Sequence, residues 1–132
     1  MNRLKNDFAD WTSGNEKIDD FIKKMQLKIN EYGDMIFEWI PYNKFIDVKE
    51  IENSVFATAI WKDGPLYYSK IRRNYKRESD EKILLKYLYN SQNINHAFLN
   101  EILYSIEESY GVSQNPNTRD FVLVFILITA DL

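Results

Sequence analysis

Two oppositely charged side chains lie where a strand and a helix would bring them together. Lys86 ends a short apolar run that begins at Ile83, and Glu101 follows 15 residues later on a segment with helical periodicity. Taken alone, the lysine is most simply a solvated residue at a strand end, and the glutamate is most simply a charge on a helix surface. Taken together, their order and spacing predict a structural ion pair in which the anion orients the cation.

The other residue types that carry chemistry offer no alternative site. The chain has no cysteine, which excludes disulfides and thiolate metal sites. Its single histidine, His96, falls on the predicted helix and is interpreted as a surface residue. The adjacent acids Asp19-Asp20 and Glu107-Glu108 diverge on helices, because neighbouring positions do not share a helix face. With no Ser-His-Asp set or metal cluster visible, we predict no catalytic residue and no metal site.

The composition is that of a small globular protein. A length of 132 residues allows one domain at most, or part of a larger one, and a chain that is 45% hydrophobic and 15% aromatic can build a core. The net charge of −3 predicts no general attraction to nucleic acid or to an anionic membrane. No signal peptide is predicted, and the apolar run over residues 121–130 is too short to span a bilayer, which needs about 20 residues. We expect a soluble cytoplasmic protein, with the nucleus as the alternative location.

Helical periodicity dominates the N-terminal part of the chain. Ser13 and Glu16 stand at capping-box spacing, and Gly33 is the predicted helix stop. Between them, apolar residues recur on one face: Ile18, Phe21, Ile22, Met25, Ile29 and Tyr32. This helix is interpreted as a docking helix for a partner or, preferably, as one that packs on its own domain. An apolar patch ending at Pro41 follows it, and residues 1–41 are assigned as an N-terminal helical extension.

The pattern then changes from helix to strand. Phe45–Ile51 and Phe56–Trp61 predict a β-hairpin whose turn lies at residues 52–55. The run from Ser69 to Glu81 mixes basic and acidic residues and lacks a stacking array of aromatics. We interpret it as a solvated loop and not as a nucleic-acid contact. Ile83–Tyr89 predicts a third strand.

A second helix and two further strands complete the predicted elements. The periodic segment from Ile94 to Ser109 predicts the helix that carries Glu101. Val112-Ser113 predicts a short strand, and Phe121–Ile128, which is apolar throughout, predicts a strand buried on both faces. The expected architecture is therefore α+β, with a small, mostly antiparallel sheet, one packed helix and the N-terminal helical extension.

In combination, these stretches resemble the N-terminal lobe of the eukaryotic protein kinase fold. The similarity is greatest to an expanded fungal group of tyrosine-kinase-like and serine/threonine protein kinases, and it covers nearly the whole chain. The stretches that carry it are Trp11–Asn15, Glu38–Tyr42, Phe56–Thr58, Trp61–Gly64 and Ser113–Thr118.

The resemblance implies roles for the two charged residues. Lys86 matches the strand-three lysine that holds the α- and β-phosphates of ATP, and Glu101 matches the helix-C glutamate that pairs with it. The family activity it implies is ATP-dependent protein phosphorylation, with ATP as the bound nucleotide. Residues 42–132 are then assigned to a kinase-like N-lobe truncated at the hinge.

The stretch that should cover the phosphates departs from the family pattern. A glycine-rich G-x-G-x-x-G loop is expected there, because glycines let backbone amides approach the phosphates. This chain has no glycine in the corresponding stretch, which contains Glu52, Asn53, Ser54, Val55 and Phe56. Side chains at these positions obstruct the approach, and Glu52 adds negative charge where the first glycine is expected.

Further departures concern the nucleotide base and the catalytic groups. Leu84 replaces the small alanine over the adenine, a change expected to cost roughly 1–3 kcal/mol of binding, or about one to two decades in affinity. The motifs H-R-D-L-x-x-x-N, D-F-G and A-P-E are absent from the 132 residues. The chain is therefore predicted to be a truncated kinase-like domain that is catalytically inactive as it stands.

Two alternative functions remain open from the sequence. One is a protein-interaction or scaffold module, whose protein partner would bind the exposed surface that faces the C-terminal lobe in a complete kinase. That surface includes the apolar strand at Phe121–Ile128. The other is the N-terminal part of an active kinase whose C-terminal lobe is missing from this chain.

Overall fold

The computed structural model describes residues 12–27, 36–69, 71–89, 96–104 and 108–127. Within these residues the architecture is α+β, as predicted, with a mostly antiparallel sheet and packed helices. The elements in chain order are α1 (Glu16–Leu27), β1 (Glu38–Trp39), a 3-10 turn (Tyr42–Lys44), β2 (Phe45–Glu50), β3 (Phe56–Trp61), β4 (Leu66–Ser69), β5 (Asn74–Arg77), β6 (Glu81–Leu88), α2 (His96–Tyr104), β7 (Ser109–Gln114) and β8 (Phe121–Ile126).

Six of these strands form one sheet, in the order β1-β7-β8-β6-β3-β2. All neighbouring pairs are antiparallel except β1 and β7, which run parallel. The strands β4 and β5 form a separate antiparallel hairpin. The predicted hairpin of β2 and β3 is confirmed, with β6 beside β3 and the last strand beside β6.

The central strands of the sheet are buried on both faces by different parts of the chain. On one face, α1 and α2 contribute Ile18, Ile22 and Ile102 to a core that also contains Phe121 and Leu123 of β8. On the other face, the segment around the 3-10 turn and β7 packs against apolar residues of β3, β6 and β8. The first helix therefore packs on its own domain, which is the interpretation that the sequence favoured.

The start of α1 differs from the predicted capping box. Asn15 caps the helix, because its Oδ1 accepts hydrogen bonds from the backbone N–H groups of Lys17 at 2.9 Å and Ile18 at 3.2 Å. The hydroxyl of Ser13 instead donates to a carboxylate oxygen of Asp19 at 2.5 Å. The capping box at Ser13 and Glu16 is therefore wrong, since Asn15 lies closer to the first turn and satisfies the same orphan donors. The predicted positions at Ile29, Tyr32 and Gly33 lie outside the described residues.

The expectation of a solvated loop over Ser69–Glu81 is also wrong. Residues of this run form β5 and the first residue of β6, and β5 pairs with β4. Tyr75 of β5 packs against Leu66 and Ile36, so the hairpin has an apolar side that buries against the body. Most of its described charged side chains are exposed, which is why the run has the composition of a loop in sequence.

The boundary between α2 and β7 differs from its prediction as well. Ser109, placed at the end of the predicted helix, is the first residue of a six-residue strand. The strand is longer than Val112-Ser113 because β7 is hydrogen-bonded to β1 on one side and β8 on the other. Tertiary pairing thus overrides the helical periodicity at this point. The predicted start of α2 at Ile94 and the predicted end of β8 at Ile128 lie outside the described residues.

The edge strand β2 contains an irregularity. Its pairing with β3 shifts register between Ile46 and Lys49, and Asp47 between them has a positive φ of 53°. Such a bulge bends a strand and interrupts its ladder. The side chains of β2 after Phe45 are exposed.

No helix within the described ranges is long and apolar enough to cross a membrane.

The parallel strand β1 lies unusually close to β7. Glu38 pairs with Gly111, and a Cβ atom placed on Gly111 would overlap the backbone carbonyl of Glu38. A glycine is therefore required for this close approach of the two backbones.

The variant Gly111→Ala is expected to lose about 1–3 kcal/mol of unfolding free energy, because the new methyl group must push β1 away from the sheet. Urea unfolding followed by circular dichroism measures the loss. Ser113→Ala on the same strand is the matched control. The Ser113 hydroxyl is buried without a hydrogen-bond partner among the described residues, so its removal should be neutral or slightly stabilising. Equal losses for the two variants would contradict the role given to Gly111.

Candidate functional site

The predicted contact between Lys86 and Glu101 is present in the structure. The Lys86 Nζ lies 3.0 Å from the Glu101 Oε1, joining the central strand β6 to the helix α2. The lysine side chain is 31% exposed and the glutamate side chain 44% exposed. The pair is thus a solvent-accessible cation held by an anion. Its nucleotide-binding role stays a prediction.

The pleat of β6 determines which way Lys86 points. Ile83 and Leu85 are fully buried on the sheet face opposite the helices, whereas Leu88 belongs to the core under α1 and α2. Because side chains alternate along a strand, Lys86 lies on the same face as Leu88 and meets the helix. Its cross-strand partners are Phe56 of β3 and Leu123 of β8.

Leu84 lies beside Lys86 on the same face. It is two residues away along β6, and its cross-strand partners are Thr58 and Phe125. Both Leu84 and Phe125 are partly buried. Leu84 and Phe125 therefore place bulky apolar side chains beside the lysine.

The turn between β2 and β3 is closed by its own hydrogen bonds. The backbone N–H of Ile51 donates to Phe56 O at 2.9 Å, and that of Ser54 donates to Ile51 O at 3.2 Å. The N–H of Phe56 donates to the Ser54 hydroxyl at 3.1 Å. These three amides are directed inward and are not available to an anion. The side chains of residues 51–55, including Glu52, Asn53 and Val55, are exposed around the turn.

A second ion pair, not foreseen from the sequence, joins the two sheets. The Arg77 guanidinium of β5 donates to both carboxylate oxygens of Glu38 in β1, at 2.6 Å and 3.0 Å, and to the carbonyl of Gly64 at 2.8 Å. It also lies over the ring of Trp61, 5.9 Å from the centroid. Burial raises the pKa of Glu38, and the hydrogen bonds from Arg77 oppose that effect. The sequence signal for this pair is a glutamate set between apolar neighbours within a strand.

The remaining predictions concern the single histidine and metal binding. His96 is the first residue of α2, and its surface position stays a prediction. Among the described residues, no group of three or more His, Asp or Glu side chains could hold a metal ion. Comparison of the chain with family models, with curated proteins and with solved structures finds no match.

The Lys86–Glu101 pair is expected to contribute little to stability, because both side chains are partly solvated. Glu101→Gln should change the unfolding free energy by about 0–1 kcal/mol, measured by urea unfolding. Glu38→Gln is the comparison variant, since its carboxylate is only 10% exposed and its loss leaves Arg77 without its anion. A larger loss for Glu101→Gln than for Glu38→Gln would show that the exposed pair is the structural one.

The Glu38–Arg77 pair is expected to be strongly coupled. Arg77→Leu leaves a buried carboxylate without its cation and should cost about 3 kcal/mol of unfolding free energy. The double variant Glu38→Leu/Arg77→Leu should recover most of that loss, because no charge then remains buried. A double-mutant cycle measured by chemical denaturation gives the coupling, and additive losses would show that the two side chains act independently.

Proposed function

We propose that this chain is a protein-kinase-like N-terminal lobe that binds nucleotide weakly and has no phosphotransferase activity by itself. The observation that carries the proposal is the contact between Lys86 and Glu101. In the spatial order of the main sheet counted from the β2 edge, Lys86 lies on the third strand, β6, which follows the β4–β5 hairpin in the chain. Glu101 lies on α2, the helix that follows β6. In protein kinases, the lysine that contacts the ATP phosphates and its glutamate partner occupy the same two elements.

The proposed kinase-like unit comprises residues 42–132, and residues 1–41 are an extension. The described part of that extension packs onto the unit through α1 and through the pairing of β1 with β7. In this proposal the extension is a permanent layer of the domain, because its apolar residues Ile18 and Ile22 are fully buried.

The residues fit ATP only in part. Lys86 is an accessible and oriented cation, which suits a phosphate group. The turn at residues 51–56 does not suit one, since its amides at Ile51, Ser54 and Phe56 donate within the turn and Glu52 is negative. Leu84 fills part of the space that an adenine ring needs. We therefore propose weak nucleotide binding.

We propose that the chain has no phosphotransferase activity by itself because of the groups that phosphoryl transfer requires. The reaction needs a residue that orients the acceptor hydroxyl and ligands that hold Mg²⁺ against the phosphates. The 132 residues contain neither the H-R-D nor the D-F-G motif that supplies them in kinases. An active enzyme would need these groups from elsewhere, as in the alternative of a kinase with a separate C-terminal lobe.

A protein-interaction module is the second candidate function. The strand at Phe121–Ile128, expected to belong to the exposed partner surface, does not suit that role, because Phe121–Val124 are buried where β8 pairs with β6 and β7. Four aliphatic side chains on β2 and its turn, Ile46, Val48, Ile51 and Val55, are instead 37–44% exposed. Their clustering at one edge of the sheet favours contact with a protein partner.

Binding of Mg-ATP tests the nucleotide site. The wild-type chain should show weak affinity by isothermal titration calorimetry. Leu84→Ala should raise the affinity about 10- to 100-fold, because it opens the space beside Lys86. Adding Lys86→Ala to Leu84→Ala should remove that gain. Lys82→Ala in the same background is the matched control, since Lys82 is an exposed lysine on the same face of β6, and it should leave the gain intact.

Three outcomes would contradict the proposal. Tight Mg-ATP binding by the wild-type chain that is lost in Lys86→Ala would show that the turn and Leu84 do not hinder the nucleotide. An affinity that Leu84→Ala leaves unchanged would show that no nucleotide site exists beside Lys86, and the interaction module would then be the better interpretation. Transfer of phosphate to a generic protein substrate by the purified chain would overturn the proposal of inactivity.

A further inference from the structure

The β4–β5 hairpin combines positive charge with an exposed apolar tip. From Leu66 to Arg77 the sequence has five basic residues and no acidic one, although the chain as a whole has 20 acidic residues and a net charge of −3. Ile71, in the turn between the two strands, is 95% exposed, whereas the other exposed large apolar side chains among the described residues are 37–61% exposed. Arg72 and Arg73 follow it and are also exposed.

The base of this hairpin is anchored to the body of the protein. The N–H of Ile36 donates to Leu66 O at 3.1 Å. The N–H of Glu78 donates to Pro65 O at 3.0 Å, which closes the base between the two arms of the hairpin. The guanidinium of Arg77 is held by Glu38. The tip is therefore carried on a structured arm with a fixed base, and its exposed isoleucine does not belong to an unstructured loop.

We propose that the hairpin tip docks on an anionic lipid surface. The Ile71 side chain enters the interfacial layer. The exposed Arg72, Arg73 and Lys76 side chains contact the lipid headgroups. A single aliphatic residue among cations matches a surface that is negatively charged outside and apolar beneath. A lipid surface can accept a lone protruding side chain without a shaped pocket, whereas a protein partner would need a pocket to bind it.

Nucleic acid is the main competing partner for a basic hairpin, and the structure favours it less. Sequence-tolerant binding to single strands uses aromatic faces on which bases stack. Two tyrosines of the hairpin are engaged elsewhere, since Tyr67 shares a hydrogen bond with Tyr110 and Tyr75 packs against Leu66 and Ile36. An exposed isoleucine at the tip adds nothing to phosphate contacts.

Vesicle co-sedimentation of the full chain tests the proposal. The protein should sediment with phosphatidylcholine–phosphatidylserine vesicles at low salt and should stay in the supernatant with pure phosphatidylcholine vesicles. Binding should weaken as salt is raised, because the headgroup contacts are screened. Ile71→Ser should lower the partition coefficient about tenfold, since the apolar contribution is lost. Arg72→Gln/Arg73→Gln should lower it about 20- to 30-fold.

Matched variants elsewhere on the surface provide the controls. Ile51→Ser removes an aliphatic side chain that is 44% exposed on another turn. Lys62→Gln/Lys82→Gln removes two exposed cations away from the hairpin. Each control should change the partition coefficient less than its tip counterpart. Circular dichroism and thermal unfolding check that every variant is folded.

A fluorescent probe gives a second measurement, which depends on how deeply the hairpin tip inserts into the lipid layer. Because the chain has no cysteine, Ile71→Cys and Ile51→Cys can each be labelled at a single site with an environment-sensitive dye. The dye at position 71 should shift to the blue with anionic vesicles, and the dye at position 51 should not. The proposal is overturned if the chain binds neither vesicle type, if tip and control variants behave alike, or if it binds a single-stranded RNA oligonucleotide and no vesicles.

Discussion

The structure depends on the hydrogen bonding of β6 along both of its edges. With β3 on one side and β8 on the other, the strand cannot rotate or slip by one residue without breaking two ladders. This constraint sends Ile83 and Leu85 into one core and Leu84, Lys86 and Leu88 toward the helices. The placement of Lys86 against Glu101 is therefore a consequence of sheet register. Their mutual attraction is too weak in solvent to impose it.

The features that the sequence predicted well are those with strong local signals. The β2–β3 hairpin, the third strand and the two helices each have a periodic apolar pattern, and all appear within the described residues. The contact of Lys86 with Glu101 could be predicted because strand and helix are adjacent in the chain. Which ligand the ion pair would bind is harder to predict from the sequence. Ligand affinity would depend on the shape of the space beside Leu84 and on which backbone amides of the turn at Ile51–Phe56 already donate hydrogen bonds within the turn.

The missed features are those that long-range packing creates. The strand β5 has a local composition that resembles a loop, and it becomes a strand because Tyr75 and Arg77 contact residues near position 37, far away in the chain. β7 is likewise extended by its two neighbours beyond the range that its own sequence supports. The pairing of Glu38 with Arg77 spans 39 positions, and although the apolar neighbours of Glu38 indicate its burial, nothing in the local sequence identifies its partner. Once formed, the pair joins the hairpin to the main sheet through a contact in which Glu38 is largely buried, so that removing either charge alone is costly.

The bulge at Asp47 has a consequence for how copies of this chain meet. The strand β2 is one edge of the six-stranded sheet, and it presents exposed aliphatic side chains at Ile46 and Val48. An uninterrupted edge of this kind would be a template on which another chain could add a strand. The turned backbone at Asp47 breaks the row of outward N–H and C=O groups in its middle, and the opposite edge, β1, is only two residues long. Both margins of the sheet therefore resist polymerisation, and the protein can keep an apolar edge in contact with water.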